Sequence, residues 1–111
     1  MIIAVLSEDV KFCNDLAIMC SDNEFQIKFI EDNHDIDSDI NCIVLDLDQS
    51  AKLLMDKCRE YSRESYLIFG AMSVPTKSEI LTAKDAGCLM VLTKSNFTAN
   101  LVDIIHKSKA R

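Results

Sequence analysis

Acidic, hydroxyl and lysine side chains come directly after several apolar runs of this chain. Ser7–Asp9 follows the first run, Asp46 and Asp48 follow a central one, Ser73 lies just past the next, and Lys94 follows the last. Carboxylate oxygens are ligands that magnesium prefers, and a lysine ammonium can neutralise a phosphoryl group. If the fold brings these residues to one edge, the sequence predicts a site for a divalent cation and a phosphoryl group.

Each of these residues also has a plainer structural interpretation. Acids and hydroxyls at a helix start cap the helix and interact well with its dipole, so Ser7 and Asp9 alone fit caps better than ligands. We expect Asp48 to cap the next helix. Asp46 and Lys94 each follow a buried strand directly. That placement favours a functional role, although a structural ion pair would give the same pattern.

Strand-like apolar runs alternate with helical spacing, which predicts the elements that must position these residues. Strands are predicted at residues 2–6, 25–29, 42–45, 66–69 and 88–92. Residues 31–41 are interpreted as a loop or one short helical turn. Helices are predicted after a cap at Asp9 or Ser7, from Ser50, from Thr76 to Gly87, and from about Thr98.

This alternation implies a parallel sheet with right-handed crossovers and helices on both faces. The second strand alternates apolar and polar residues, with Phe25, Ile27 and Phe29 on one side, so it belongs at an edge. The predicted fold is an α/β, doubly wound, five-stranded parallel sheet with the order 2-1-3-4-5. In such a sheet the functional crevice lies at the C-terminal strand ends, beside the switch in strand order.

Length and charge limit the function further. The 111 residues fit a single domain, 1–111, and the net charge of −6 argues against direct nucleic-acid binding, which depends on Lys and Arg. No apolar run approaches the roughly 20 residues that span a bilayer. The N-terminus lacks the basic leader of a signal peptide. We therefore expect a cytoplasmic protein that does not associate with membranes.

The chain has an odd number of cysteines, which are scattered and never spaced as CxxC. We interpret them as buried free thiols in a reducing compartment, in preference to metal or redox groups. His34 and His106 lie far apart without ligand-type neighbours, so a zinc site has little support. The five cysteines are Cys13, Cys20, Cys42, Cys58 and Cys88.

The order of elements, with IVLDLD at strand three and GCLMVLTKSNF at strand five, resembles the receiver domain of bacterial response regulators. The resemblance covers essentially the whole chain. It implies the flavodoxin-like receiver fold, here with a shortened second helix. It also implies that Asp46 occupies the position of the phosphoacceptor and that Lys94 and Ser73 are the candidates to contact the phosphoryl group.

Several positions depart from the receiver pattern. The family's two adjacent acids after strand one correspond to Ser7 and Glu8, or to Leu6 and Ser7 if the register is one residue earlier. Counting back from Lys94, the family's strand-four hydroxyl falls on Met72, and Ser73 serves only with a shift. A magnesium site is thereby weakened, so no cofactor is firmly expected, and its candidate ligands are Glu8, Asp9 and Asp46.

These departures favour an atypical receiver, or pseudo-receiver, that is not an enzyme and acts by binding proteins largely independently of phosphorylation. One alternative is a phosphoacceptor receiver that uses Asp46 and Mg²⁺, and another is a small flavodoxin-like domain that binds a nucleotide or flavin. Expected partners are a histidine kinase, an output domain, a downstream regulator or a second copy of the chain. By resemblance, the candidate partner surface consists of Ser78, Leu81, Lys84, Met90, Leu92, Leu101 and Ile105.

Overall fold

The sheet has the predicted topology. The computed structural model describes residues 2–30, 39–48, 56, 58–61 and 66–109. Within them, five strands pair in parallel in the order β2-β1-β3-β4-β5. The strands are β1 (Ile2–Leu6), β2 (Gln26–Phe29), β3 (Cys42–Asp46), β4 (Leu67–Met72) and β5 (Met90–Thr93).

Helices cover both faces of the sheet. Residues 56 and 58–61 are helical, in agreement with the helix predicted after β3. The beginning of that helix and the expected short turn between β2 and β3 lie outside the described residues. The other helices are α1 (Val10–Asp22), α2 (Lys77–Ala86), α3 (Lys94–Ala99) and α4 (Leu101–Lys109).

Local capping explains where α1 and α2 begin and where α2 ends. The Asp9 carboxylate accepts a hydrogen bond from the backbone N–H of Phe12 at 3.1 Å. The Thr76 hydroxyl accepts one from the N–H of Glu79 at 3.2 Å. Gly87 ends α2 with φ = 119°, a left-handed conformation that glycine adopts without steric cost. The caps predicted at Asp9, Thr76 and Gly87 are therefore confirmed.

Three predicted boundaries were wrong by two residues or more. β4 continues through Met72 because its last residues still pair, with Ala71 beside Asp46 and Met72 beside Thr93. β5 begins at Met90, not at Cys88, because the preceding residues leave the end of α2. A short helix, α3, follows β5 immediately, capped by the Thr93 hydroxyl, so the last helix begins only at Leu101.

The core consists of two layers, one on each face of the sheet. In β1, Ala4 and Leu6 face the layer under α2 and the 58–61 segment, whereas Ile3 and Val5 face the layer under α1, α3 and α4. This alternation follows from the two-residue period of a strand. It explains why the central strands are apolar throughout.

Two residues assigned to the candidate partner surface belong to the core instead. Leu101 and Ile105 are fully buried and pack with Phe97 in the core layer under α1, α3 and α4. They lie four residues apart on α4, so they occupy one helix face, and that face is turned to the sheet. The partner-surface assignment was therefore wrong for Leu101 and Ile105.

None of the helices in the described part of the chain has the length and apolar character that crossing a bilayer requires.

Gly70 allows a close approach between the chain after β3 and the middle of β4. A Cβ atom at Gly70 would lie 2.7 Å from Leu47 Cδ1 and 3.2 Å from Val91 Cγ2, and both neighbours are buried. Gly70→Ala should therefore lower the free energy of unfolding by about 1–3 kcal/mol through overpacking. Urea unfolding measures this change.

The double variant Gly70→Ala/Leu47→Ala provides the control, because removing the Leu47 side chain makes room for the new methyl group. We expect the two changes to be clearly non-additive, with the double variant more stable than the sum of the single losses implies. Additive losses would contradict the proposed contact.

Candidate functional site

The C-terminal ends of β1, β3, β4 and β5 meet at one edge of the sheet. The strand register places Leu6 beside Leu45, Asp46 beside Ala71, and Met72 beside Thr93. The residues that follow these positions therefore converge, as the sequence predicted for a doubly wound sheet.

The Lys94 ammonium lies among three carboxylates. Its Nζ atom is 2.9 Å from Asp9 Oδ2, 3.0 Å from Asp46 Oδ2 and 3.0 Å from Asp48 Oδ2. The side chain is only 14% exposed, and Nζ lies 5.5 Å from the centroid of the Phe12 ring. One cation thus joins the chain segments that follow three different strands.

Asp46 is the most buried member of this group. It is the last residue of β3, and its side chain is 1% exposed. Oδ2 accepts a hydrogen bond of 2.6 Å from the Ser7 hydroxyl in addition to its contact with Lys94. Oδ1 accepts a hydrogen bond of 3.1 Å from the N–H of Asp48. Both carboxylate oxygens are therefore engaged by groups of the protein.

Asp48 connects the lysine to the chain after β4. Its carboxylate accepts hydrogen bonds from the Ser73 N–H at 3.0 Å and from the Ser73 hydroxyl at 2.6 Å. The helix start that we expected Asp48 to cap lies outside the described residues. The contacts with Ser73 and Lys94 place Asp48 at the edge where the sequence analysis grouped it with the other acidic residues.

Residues 7–9 contribute Ser7 and Asp9 to the site but not Glu8. Asp9 caps α1 with Oδ1 and contacts Lys94 with Oδ2, so the capping and functional interpretations both hold. Ser7 additionally accepts a hydrogen bond from the Asp9 N–H at 3.1 Å. Glu8 is exposed and makes none of the contacts that hold Lys94.

The close contacts shift the titration of the lysine and of two acids. Hydrogen bonds from Lys94 and from the Phe12 N–H hold the pKa of Asp9 below its ordinary value. Burial alone would raise the pKa of Asp48, but hydrogen bonds from Ser73 and Lys94 outweigh it and lower the pKa. Burial disfavours the charged form of Lys94 as well and alone would lower its pKa, but the hydrogen bonds to the carboxylates raise it. The charged forms are thus mutually stabilised.

The described residues do not fit a magnesium site well. Ser7 is a neutral hydroxyl that donates its hydrogen to Asp46, and Glu8 lies outside the cluster. The space between the three carboxylates is occupied by the Lys94 ammonium. Within the described ranges, no group of three or more His, Cys, Asp and Glu side chains is arranged to hold a metal ion.

An open cavity of about 420 Å³ adjoins the cluster between α1 and α3. Asp9, Ser73 and Lys94 lie at its inner end, and Lys11 and Asp15 line its outer part. Lys11 and Asp15 form an exposed ion pair of 3.1 Å across one helical turn. Lys94 is therefore part of the wall of an open cavity.

The remaining candidate partner surface lies along α2 and β5. Leu81 is 58% exposed, Ser78, Lys84 and Met90 are also exposed, and Leu92 is half-buried. These residues therefore stay available to a partner, in contrast to the two buried residues of α4.

Replacing Lys94 by methionine should expose the repulsion among the carboxylates. We expect Lys94→Met to lower the free energy of unfolding at pH 7 by roughly 3 kcal/mol, because a largely buried cation is removed from its partners. The exposed Lys11→Met is the control, and we expect it to cost about 0.5 kcal/mol or less.

The pH dependence of the free energy of unfolding should also change sign in Lys94→Met. In the unmodified protein Asp9 and Asp48 have pKa values below 3.8, so their stabilisation is present above that pH and is lost as the pH falls through the lowered values. In Lys94→Met the carboxylates repel one another, so acidification towards pH 4 should stabilise the variant. Parallel profiles of stability against pH, measured by urea unfolding, would contradict the proposed charge cluster.

Neither a protein-family model nor a curated protein sequence matches this chain. Solved structures do match. A two-component response regulator from Clostridium difficile is 19% identical, with a TM-score of 0.78 over 99% of this chain and 93% of that one. A response regulator from Thermotoga maritima is 12% identical, with a TM-score of 0.77 over 96% of this chain and 94% of that one.

A response regulator receiver domain protein from Methanospirillum hungatei is also 12% identical, with a TM-score of 0.76 over 96% of this chain and 91% of the other. These similarities extend over nearly the whole chain, and the shared strand order agrees with them. The chain therefore has the CheY-like fold of response-regulator receiver domains.

Proposed function

We propose that this chain is an atypical receiver domain that acts as a protein-binding module and not as an enzyme or a phosphorylation switch. The observation that carries the proposal is the engagement of Asp46, whose side chain is 1% exposed and whose two carboxylate oxygens both have partners within the protein. The site is thus closed at the atom that would have to react.

A phosphoacceptor carboxylate needs one oxygen that can reach phosphorus along an open line. Oδ1 of Asp46 is bonded to the N–H of Asp48, which belongs to the same tight turn. Oδ2 lies between the Ser7 hydroxyl and the Lys94 ammonium, at 2.6 and 3.0 Å. Because the side chain is 1% exposed and each oxygen already has a partner, the approach of a phosphodonor would require these contacts to rearrange, which raises the barrier.

The net negative charge of the site also opposes the addition of a phosphoryl group. Three carboxylates and one ammonium leave an excess of negative charge, and a phosphoryl group would add more. Such charge must be neutralised by a cation in a site that is partly shielded from water. Because the described side chains fit magnesium poorly, we propose that Lys94 acts as a tethered cation that keeps the site in one state.

The chain after β4 lacks the means to report a new phosphoryl group. Met72, at the position where receivers carry a hydroxyl, is 4% exposed and packs in the core. Ser73 has a hydroxyl, but it is bonded to Asp48 at 2.6 Å. A domain with these contacts would present α2 and β5 to a partner in a fixed arrangement.

The partners that fit this proposal are other signalling proteins: a kinase, an output domain, a downstream regulator or a second copy of the chain. The exposed apolar side chains of Leu81 and Met90, interspersed with polar residues such as Ser78 and Lys84, form a suitable surface.

The phosphoacceptor alternative retains one specific observation in its favour. Asp46 and Lys94 lie 3.0 Å apart at the strand ends where the receiver pattern requires them. No comparable observation favours a nucleotide or flavin, since the loop after β1 carries Glu8 and Asp9, which repel phosphate, and contains no glycine.

Exposure to a small phosphodonor separates the two functions. After incubation with acetyl phosphate and millimolar magnesium, we expect intact-mass spectra with no phosphoryl adduct, because neither oxygen of Asp46 is free to react. The Thermotoga maritima response regulator, treated in parallel, tests whether the conditions phosphorylate a receiver of similar fold. An adduct that disappears in Asp46→Asn would refute phosphorylation-independence and establish the alternative.

Amide NMR spectra recorded with magnesium and then beryllofluoride give an independent measurement. We expect no saturable shifts at Asp46, Ser73 and Lys94, because the cation position is occupied by the lysine. Large shifts in these residues that are absent in Asp46→Asn would contradict the proposal.

The partner surface can be tested with two matched substitutions. Leu81→Glu, on α2, should reduce binding of a partner by at least tenfold, because it places a charge within the apolar patch. Ile18→Glu, on α1, is the control, since Ile18 is 59% exposed and Leu81 58%. Crosslinking in cell extract followed by mass spectrometry identifies the partner, and titration calorimetry measures both variants. Equal binding by the two variants would place the interface elsewhere.

A further inference from the structure

Cys58 and Cys88 are far apart in sequence but in contact in the fold. Their Sγ atoms lie 3.4 Å apart across a sequence separation of 30 residues. Cys58 belongs to the helical residues 58–61, and Cys88 lies between the end of α2 and the start of β5. Two thiols from different elements are thus within hydrogen-bonding distance.

The surroundings hold both thiols in place. Cys58 is fully buried and Cys88 nearly so, and both belong to the core layer under α2. The N–H of Cys88 donates to the Ala83 carbonyl at 3.0 Å, and the N–H of Leu89 donates to the Ile68 carbonyl at 2.7 Å. These bonds fix the backbone on the Cys88 side of the pair, and burial in the shared core layer surrounds both thiols.

The other three cysteines differ from this pair. In the described part of the chain, no sulfur–sulfur contact at hydrogen-bond distance involves Cys13, Cys20 or Cys42. Burial raises the pKa of the Cys20 thiol to about 11 and raises that of Cys42 as well, so both are poor nucleophiles. Cys13 is partly exposed and donates to the Ser7 carbonyl at 3.6 Å.

The contact makes one thiol of the pair more reactive than a buried thiol normally is. The hydrogen bond with Cys88 stabilises the Cys58 thiolate and lowers the pKa of Cys58, and the charge of Arg59 adds to this effect. The same hydrogen bond raises the pKa of Cys88. These interactions favour Cys58 as the first thiol to react, and the 3.4 Å separation of the two sulfur atoms positions Cys88 to attack the product.

We propose that Cys58 and Cys88 form a dithiol that a peroxide converts to a reversible intramolecular disulfide. Cys58 sulfur attacks one peroxide oxygen, the O–O bond breaks, and a sulfenic acid and one water result. Cys88 sulfur then attacks the Cys58 sulfur, the S–O bond breaks, and the leaving hydroxide takes the Cys88 proton to form a second water. The oxidant must be small, because a bulky disulfide has no access to a buried pair.

The disulfide would cross-link the 58–61 helical segment to the chain that enters β5. Because Cys88 lies between α2 and β5, the cross-link would fix the base of the surface that carries Leu81 and Met90. Cys88 precedes β5 and Lys94 follows it, so oxidation would act at the other end of this strand from the Lys94 cluster.

Intact-mass spectrometry of the folded protein tests the proposal. After mild hydrogen peroxide treatment and alkylation, we expect a species lighter by two hydrogen atoms that retains three alkylatable thiols, with the linked peptides containing Cys58 and Cys88. Dithiothreitol should restore five alkylatable thiols. The melting midpoint of the oxidised form should rise by roughly 10 °C, because the cross-link constrains the unfolded chain.

Cys88→Ser and Cys20→Ser are the matched variants, since each replaces a buried cysteine by an isosteric hydroxyl. Cys20→Ser should still form the disulfide, whereas Cys88→Ser should instead accumulate oxygen adducts on Cys58. A disulfide that maps to other cysteines overturns the proposal. So does oxidation of the unmodified folded protein that yields only oxygen adducts on Cys13, and this result does not depend on whether a variant folds.

Discussion

The Lys94 ammonium among Asp9, Asp46 and Asp48 is the interaction on which the functional edge depends. It joins the segments after β1, β3 and β5, and Asp48 extends the connection to Ser73 after β4. Each carboxylate is also held by a backbone N–H, from Phe12, Asp48 and Ser73 respectively. Charge and main-chain hydrogen bonds therefore link the four strand ends to one another.

The hydrogen bonds around the cluster explain why so many charges can be gathered in a partly buried place. Removing a carboxylate from water is costly unless donors replace the lost solvent. Here the donors are the lysine, three backbone amides and the hydroxyls of Ser7 and Ser73. All of them belong to the chain itself. The Lys94 ammonium is therefore a counter-charge that the chain itself supplies.

The sequence predicted the sheet order and the meeting of Asp46 and Lys94. Buried strands can be recognised as apolar runs, and a parallel sheet brings the C-terminal ends of its strands to one edge. From the sequence we grouped Asp48 with the residues at this edge but assigned it a helix cap, because its contacts with Lys94 and Ser73 depend on the turn that follows β3. The resemblance led us to place Leu101 and Ile105 on the partner surface, although their apolar spacing on the last helix itself predicts the buried face that the structure shows. The contact of Cys58 with Cys88 is invisible in sequence, because it depends on how two distant segments pack.

Met72 has a consequence for any attempt to introduce a hydroxyl at the end of β4. Because its side chain fills part of the core layer shared with Leu6 and Leu47, a threonine at that position would leave a void and bring a hydroxyl into apolar surroundings. Installing the missing hydroxyl is therefore a repacking problem that extends to Leu47 and, through it, to Gly70. Because Met72 is buried at the edge of the site, replacing it alone would not introduce the hydroxyl without disturbing the packing of the core.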